Sequence, residues 1–90
     1  MIYNIEITEV AENDIRKLRK SGDKALLKKL NLLFDELREH PYTGSGQIEQ
    51  LKFFKEPTFS RRINREHRLV YRVYDDTVVV IVLSCFGHYV

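Results

Sequence analysis

Ninety residues leave room for one hydrophobic core, so the sequence reads as a single domain spanning 1–90. It is 43% hydrophobic and 31% charged; no apolar run approaches the roughly 18 residues a bilayer demands, and the start, MIYNIEITEV, lacks the pattern of a secretion signal. The net charge of +2 excludes bulk adhesion to polyanions, but residues 52–72 carry seven Lys/Arg against two Asp/Glu, which suits either a specific anionic partner or a solvated basic surface.

Ile2 to Ile7 alternates, with Tyr3, Ile5 and Ile7 on one face, and predicts a half-buried strand. Thr8 is placed to cap a helix running to about Lys20, with Ala11, Ile15 and Leu18 on its apolar side. Ser21-Gly22 ends it and Asp23 caps the next. In that second helix Leu26, Leu27, Leu30, Leu33, Phe34 and Leu37 form a core-facing stripe, while Lys24, Lys28, Lys29, Asp35, Glu36 and Arg38 are expected to face out. His40-Pro41 closes it, since a residue before proline avoids helical geometry. Residues 42–50 (YTGSGQIEQ) predict a flexible loop. Short strands are expected near Leu51–Phe53 and Phe59–Asn64, stronger ones at Arg68–Tyr74 and Thr77–Phe86, the last pair joined at Asp75-Asp76. The run VVVIVLSC is apolar on both faces and belongs inside the sheet. Its Cys85, the lone cysteine, excludes an internal disulfide, fits a cytoplasmic protein and reads as a small buried residue.

This order predicts an α+β fold: two N-terminal helices on one face of a twisted, mostly antiparallel sheet of four to five strands. Two helices cover one side only, so the other stays open. Strand parity puts Leu69, Tyr71 and Val73 toward the helices and Arg68 and Arg72 on the open face. The same parity puts Arg62 on the open face and Arg61 on the helix face, where an edge position with its head in water is the expected solution.

Glu49 follows the glycine loop, Lys52 lies three residues on, Arg62 and Arg68 fall on neighbouring strands, and His88-Tyr89 closes the last one. Together they offer a carboxylate, an imidazole, several cations and an aromatic ring. That set suits RNA cleavage: one group takes a proton from a ribose 2′-OH, another protonates the departing 5′-oxygen, and cations stabilise the phosphorane. It is a poor ligand set for a metal, so neither a metal nor a cofactor is expected. Singly, each residue has a structural reading as well: Glu49 as a surface acid, Lys52 as a solvated base, Arg68 as a partner of Glu66, His88 as a partly buried histidine and Tyr89 as a packing aromatic. His40 and His67 are assigned to structure.

Three blocks in order, HPYTGSGQIEQLK, SRRINREHRLVYRV and SCFGHY, resemble the YoeB/Txe toxins of type II toxin–antitoxin systems, within the RelE/ParE superfamily. The resemblance covers nearly the whole length. It implies the RelE/ParE fold and a ribosome-dependent mRNA interferase that cuts mRNA in the ribosomal A site and leaves a 2′,3′-cyclic phosphate. By that resemblance Glu49 matches the general base, Arg68 the phosphate-stabilising arginine and His88 the general acid. Tyr89 matches the aromatic that packs on the substrate. Lys52 and Arg62 match basic residues of the RNA site, to which Arg72 is added from its place on the open face. Partners implied are a YefM/Phd-type antitoxin, the ribosome with mRNA, and operator DNA through the antitoxin complex only; a homodimer is left open, and no membrane is involved. Ile48 and Gln50 stand where relatives carry proline, Phe59 stands for tryptophan, and Val90 is an added terminal residue. Two other readings are a ParE-like non-nuclease toxin on the same fold, which generally lacks the Glu49, Arg68, His88 set, and a non-catalytic module that binds nucleic acid or a partner.

Overall fold

The structure is a computed structural model that describes residues 1–87. Strand β1 (Asn4–Ile7) leads into helix α1 (Glu9–Lys20) and helix α2 (Lys24–Glu39), followed by β2 (Glu49–Leu51), β3 (Thr58–Arg62), β4 (Arg68–Tyr74) and β5 (Val79–Ser84). Both helix starts are capped as expected. The Thr8 hydroxyl accepts from the Ala11 N–H at 3.1 Å, and the Asp23 carboxylate accepts from the Leu26 N–H at 3.1 Å. Each cap satisfies one amide that the first helical turn leaves without a partner.

The five strands form one sheet in the order β1-β5-β4-β3-β2. Only the β1–β5 pair is parallel; the β5–β4, β4–β3 and β3–β2 pairs are antiparallel. The apolar strand β5 is therefore interior, as its sequence demands. The predicted strand at 51–53 instead lies at Glu49–Leu51, leaving Phe53 fully exposed beyond it. That shift puts Glu49 inside the ladder, opposite Ser60.

Leu26, Leu30, Leu33 and Leu37 of α2 and Ala11 and Leu18 of α1 pack on Leu69, Tyr71, Val80 and Val82 of the sheet. Burying such side chains contributes roughly 1.5–3 kcal/mol each. The register shifts between Val70 and Tyr71, where Val70 faces Ser84 and Tyr71 faces Val82. The extra residue, Leu83, resets the alternation, so Ser84 shares the open face with Val70 and Cys85 turns into the core. Burial pushes the Cys85 thiol up to about 12, with Asp14 adding to the effect, so this cysteine stays a neutral packing group. No helix among the described residues is long and apolar enough to cross a membrane.

Candidate active site on the open face of the sheet

Parity on β3 and β4 sends Thr58, Ser60 and Arg62 to the same face as Arg68, Val70 and Arg72. Arg68 lies at the start of β4, opposite Arg62. Its guanidinium reaches diagonally across β3: Nη1 donates to Ser60 Oγ and Nη2 to Glu49 Oε1, each at 3.0 Å. Arg68 is nearly buried, at 8% exposure, whereas the Glu49 side chain is 59% exposed. The result is a cation seated in the sheet with an accessible carboxylate beside it. The Arg68–Glu66 pair of the alternative structural reading does not form; Glu66 approaches His67 instead, at 3.8 Å.

Gly87 is tied to the same part of β4. The Arg68 N–H donates to the Gly87 carbonyl at 3.0 Å, and the Gly87 N–H donates to His67 Nδ1 at 2.8 Å. The His67 ring lies against Phe86, with centroids 4.6 Å apart. His67 thus has the structural task expected of it, and its task is to hold Phe86 and Gly87 beside β4. His88 and Tyr89, the acid and stacking aromatic expected from the sequence, lie outside the described residues.

The other expected site residues are divided. Arg62 is exposed beside Arg68, and Lys52 is exposed just past β2. Among the described residues neither makes an ion pair. Arg72 lies two pleats further along β4, past Val70, in a separate cluster. It donates to Thr58 Oγ1 at 3.0 Å and to Glu56 Oε2 at 3.1 Å, with its guanidinium 5.6 Å from the Phe54 ring centre. No group of three His, Cys, Asp or Glu side chains among the described residues could hold a metal ion. A cleft of about 610 Å³ lies elsewhere, lined by residues such as Ile5, Ile15, Leu27 and Phe34 of β1 and the helices.

Directly beneath the pair, on the helix face, is a feature the sequence reading missed. Arg61 does not reach water; it is fully buried. Its Nε donates to Tyr71 Oη at 3.0 Å, Nη1 to Glu36 Oε1 at 3.2 Å, and Nη2 to the carbonyls of His40 at 2.6 Å and Thr43 at 2.8 Å. Glu36, expected to face solvent, turns inward and also accepts from the Ser45 N–H at 2.6 Å. Burial pushes the Glu36 carboxyl up, but the Ser45 bond and the Arg61 charge outweigh it, and the net direction is down. A buried cation is tolerable only with its donors satisfied, and here each guanidinium nitrogen has an acceptor. The available signal was parity: a strand arginine in register with Phe59 and Ile63 needs an interior anion.

The chain matches, over residues 8–89, the family described as YoeB-like toxin of bacterial type II toxin–antitoxin system. It belongs to that family. A relative named Toxin YoeB, from Synechocystis sp., is 41% identical over 85 residues that cover 94% of this chain and 95% of the relative. The fold of this YoeB-like toxin superposes on a YoeB dimer from Staphylococcus aureus with a TM-score of 0.82 at 37% identity, covering 99% of this chain and 100% of that one. It also superposes on the toxin of a heterotetrameric YoeB–YefM toxin–antitoxin complex from S. aureus, with a TM-score of 0.77 at 37% identity over the same shares. The mostly antiparallel α+β architecture read from the sequence is that of these toxins.

Proposed function

We propose that this YoeB-like toxin is a metal-independent endoribonuclease that cleaves mRNA in the ribosomal A site. The observation that carries the reading is the Glu49–Arg68 contact at 3.0 Å with Gly87, the residue before His88, hydrogen-bonded to the Arg68 backbone. The Glu49 and Arg68 side chains meet on the face the helices leave bare, and the backbone of Gly87 is bonded to that of Arg68.

In this reading Glu49 takes the proton from a ribose 2′-OH as the 2′-oxygen bonds to phosphorus. Arg68, braced by Ser60, exchanges its contact with Glu49 for a non-bridging phosphate oxygen and stabilises the added charge. The P–O5′ bond breaks, and His88 gives its proton to the 5′-oxygen. The products are a 2′,3′-cyclic phosphate and a 5′-hydroxyl, with no change of oxidation state. Arg62 and Lys52 supply phosphate contacts, Tyr89 packs on a base, and Arg72 joins once RNA displaces Glu56. The Glu49 carboxylate is open to water, which favours a substrate held in place by the ribosome. A YefM-type antitoxin and a self-association like that of the S. aureus relative follow as proposed partners, with the cytoplasm as the compartment of action.

Primer extension on mRNA after induced expression tests the reading. Cuts confined to translated regions are expected for the unaltered toxin, and none for His88→Ala, with ribosome binding retained. Cleavage of naked RNA as fast as that of ribosome-bound mRNA, or full activity in His88→Ala, would refute it.

A further inference from the structure

We infer that Arg61 is a positioning residue for Glu49: a buried guanidinium that locks the glycine loop to β3 and thereby sets where the carboxylate stands. The inference rests on Glu49 acting as the base proposed above, but assigns a role to a residue that never meets RNA.

Strand β2 has three residues and pairs with β3 alone. So short an edge ladder is a weak hold, and Glu49 is its first residue. What precedes it is the irregular segment 40–48, and that segment is stitched down. Arg61 takes the carbonyls of His40 and Thr43, Tyr71 Oη donates to the Pro41 carbonyl at 2.9 Å, Glu36 takes the Ser45 N–H, and the Arg62 N–H donates to the Gly46 carbonyl at 2.5 Å. Arg61 stands at the centre, since it also fixes Glu36 and Tyr71.

The glycines show how tightly the loop is seated. A Cβ on Gly44 would collide with Glu36 Oε1 and come within 2.9 Å of Arg61 Nη1; one on Gly46 would lie 2.9 Å from the Arg62 carbonyl oxygen. Both glycines also have positive φ, +123° and +96°. The loop therefore contacts the arginine cluster at backbone distance. Strand alternation does the rest. Ser60 and Arg62 point to the open face while Arg61, between them, points to the helices. Glu49 is paired with Ser60, one residue from the clamp.

Arg61→Lys keeps the charge but replaces the planar five-donor fork with one three-donor ammonium that cannot span the same acceptors. Gly44→Ala attacks the same joint with Arg61 intact. Both, and Glu49→Gln, are to be compared in full-length toxin on ribosomes carrying a defined A-site codon, by single-turnover cleavage at saturating ribosome, with thermal unfolding as the check on folding. Amide hydrogen exchange at Ser45 and Arg62, whose N–H groups donate to Glu36 and to the Gly46 carbonyl, reports the clamp itself. Expected are faster exchange at those amides and a cleavage rate lower by about 10- to 100-fold in each variant, the scale of a sub-ångström to ångström misplacement, with ribosome affinity unchanged. In a Glu49→Gln background neither change should slow cleavage further, because the group being positioned is already disabled. Rates that multiply with Glu49→Gln, or wild-type cleavage despite faster exchange, would overturn the inference while leaving the base assignment standing. Wild-type cleavage by Glu49→Gln alone would instead remove the base assignment. If Arg61→Lys does not fold, Gly44→Ala carries the same comparison.

Discussion

Arg61 and Arg68 sit on adjacent strands, one on each face of the sheet; both are buried and both meet a glutamate, but they differ in how exposed that partner is. Arg61 is sealed, with acceptors from a helix, a loop and a neighbouring strand on all three nitrogens. Arg68 is braced by Ser60 and meets a carboxylate that is itself mostly in water. A guanidinium whose partners are buried cannot exchange them, so its effect is architectural. One whose partner is solvated can exchange it for a phosphate oxygen at little cost, so its effect can be chemical. In the proposed reading, the contrast sets an architectural arginine on one face of the sheet against a chemical one on the other.

The largest effect that would sharpen the contrast is truncation of the buried member. Arg61→Ala leaves Glu36, Tyr71 Oη and two carbonyls without their donor, and should cost about 3–5 kcal/mol in urea unfolding, a large part of the roughly 5–15 kcal/mol typical of a small domain. Next is its counterpart. Arg68→Met should lower ribosome-dependent cleavage by about 100- to 1000-fold, yet shift unfolding by only about 1 kcal/mol, since the lost pair is half in water. If Arg68→Met proves as destabilising as Arg61→Ala, the division of labour fails.

A smaller effect concerns pH. The Glu36 carboxyl is held below its ordinary value of 4.5, so the stability it contributes is complete above the unfolded value and is lost as pH falls through the folded one. The thermal midpoint of the wild type should therefore drop below about pH 4.5, and Glu36→Gln should flatten that limb while starting lower at neutral pH; a limb unchanged by the substitution breaks the argument. The smallest effect belongs to the exposed Arg72–Glu56 pair at 3.1 Å. A double-mutant cycle there should give a coupling of at most about 1 kcal/mol, reduced further by salt.

The helices, their caps and the faces of β3 and β4 could all be read along the chain, because periodicity and capping act between residues a few positions apart; the burial of Cys85 was legible from its apolar surroundings, but its direction was set by the bulge at Leu83. So could the type and face of Arg68, since alternation is local. That Arg61 belongs on the helix face was legible too, but not its solution. Glu36 and the loop carbonyls lie about 20 residues away in sequence, and only packing of α2 against the sheet brings them to the guanidinium. The two-residue shift that pairs Glu49 with Ser60 was likewise decided by tertiary structure, because an edge strand takes its register from the neighbour it joins and not from its own pattern.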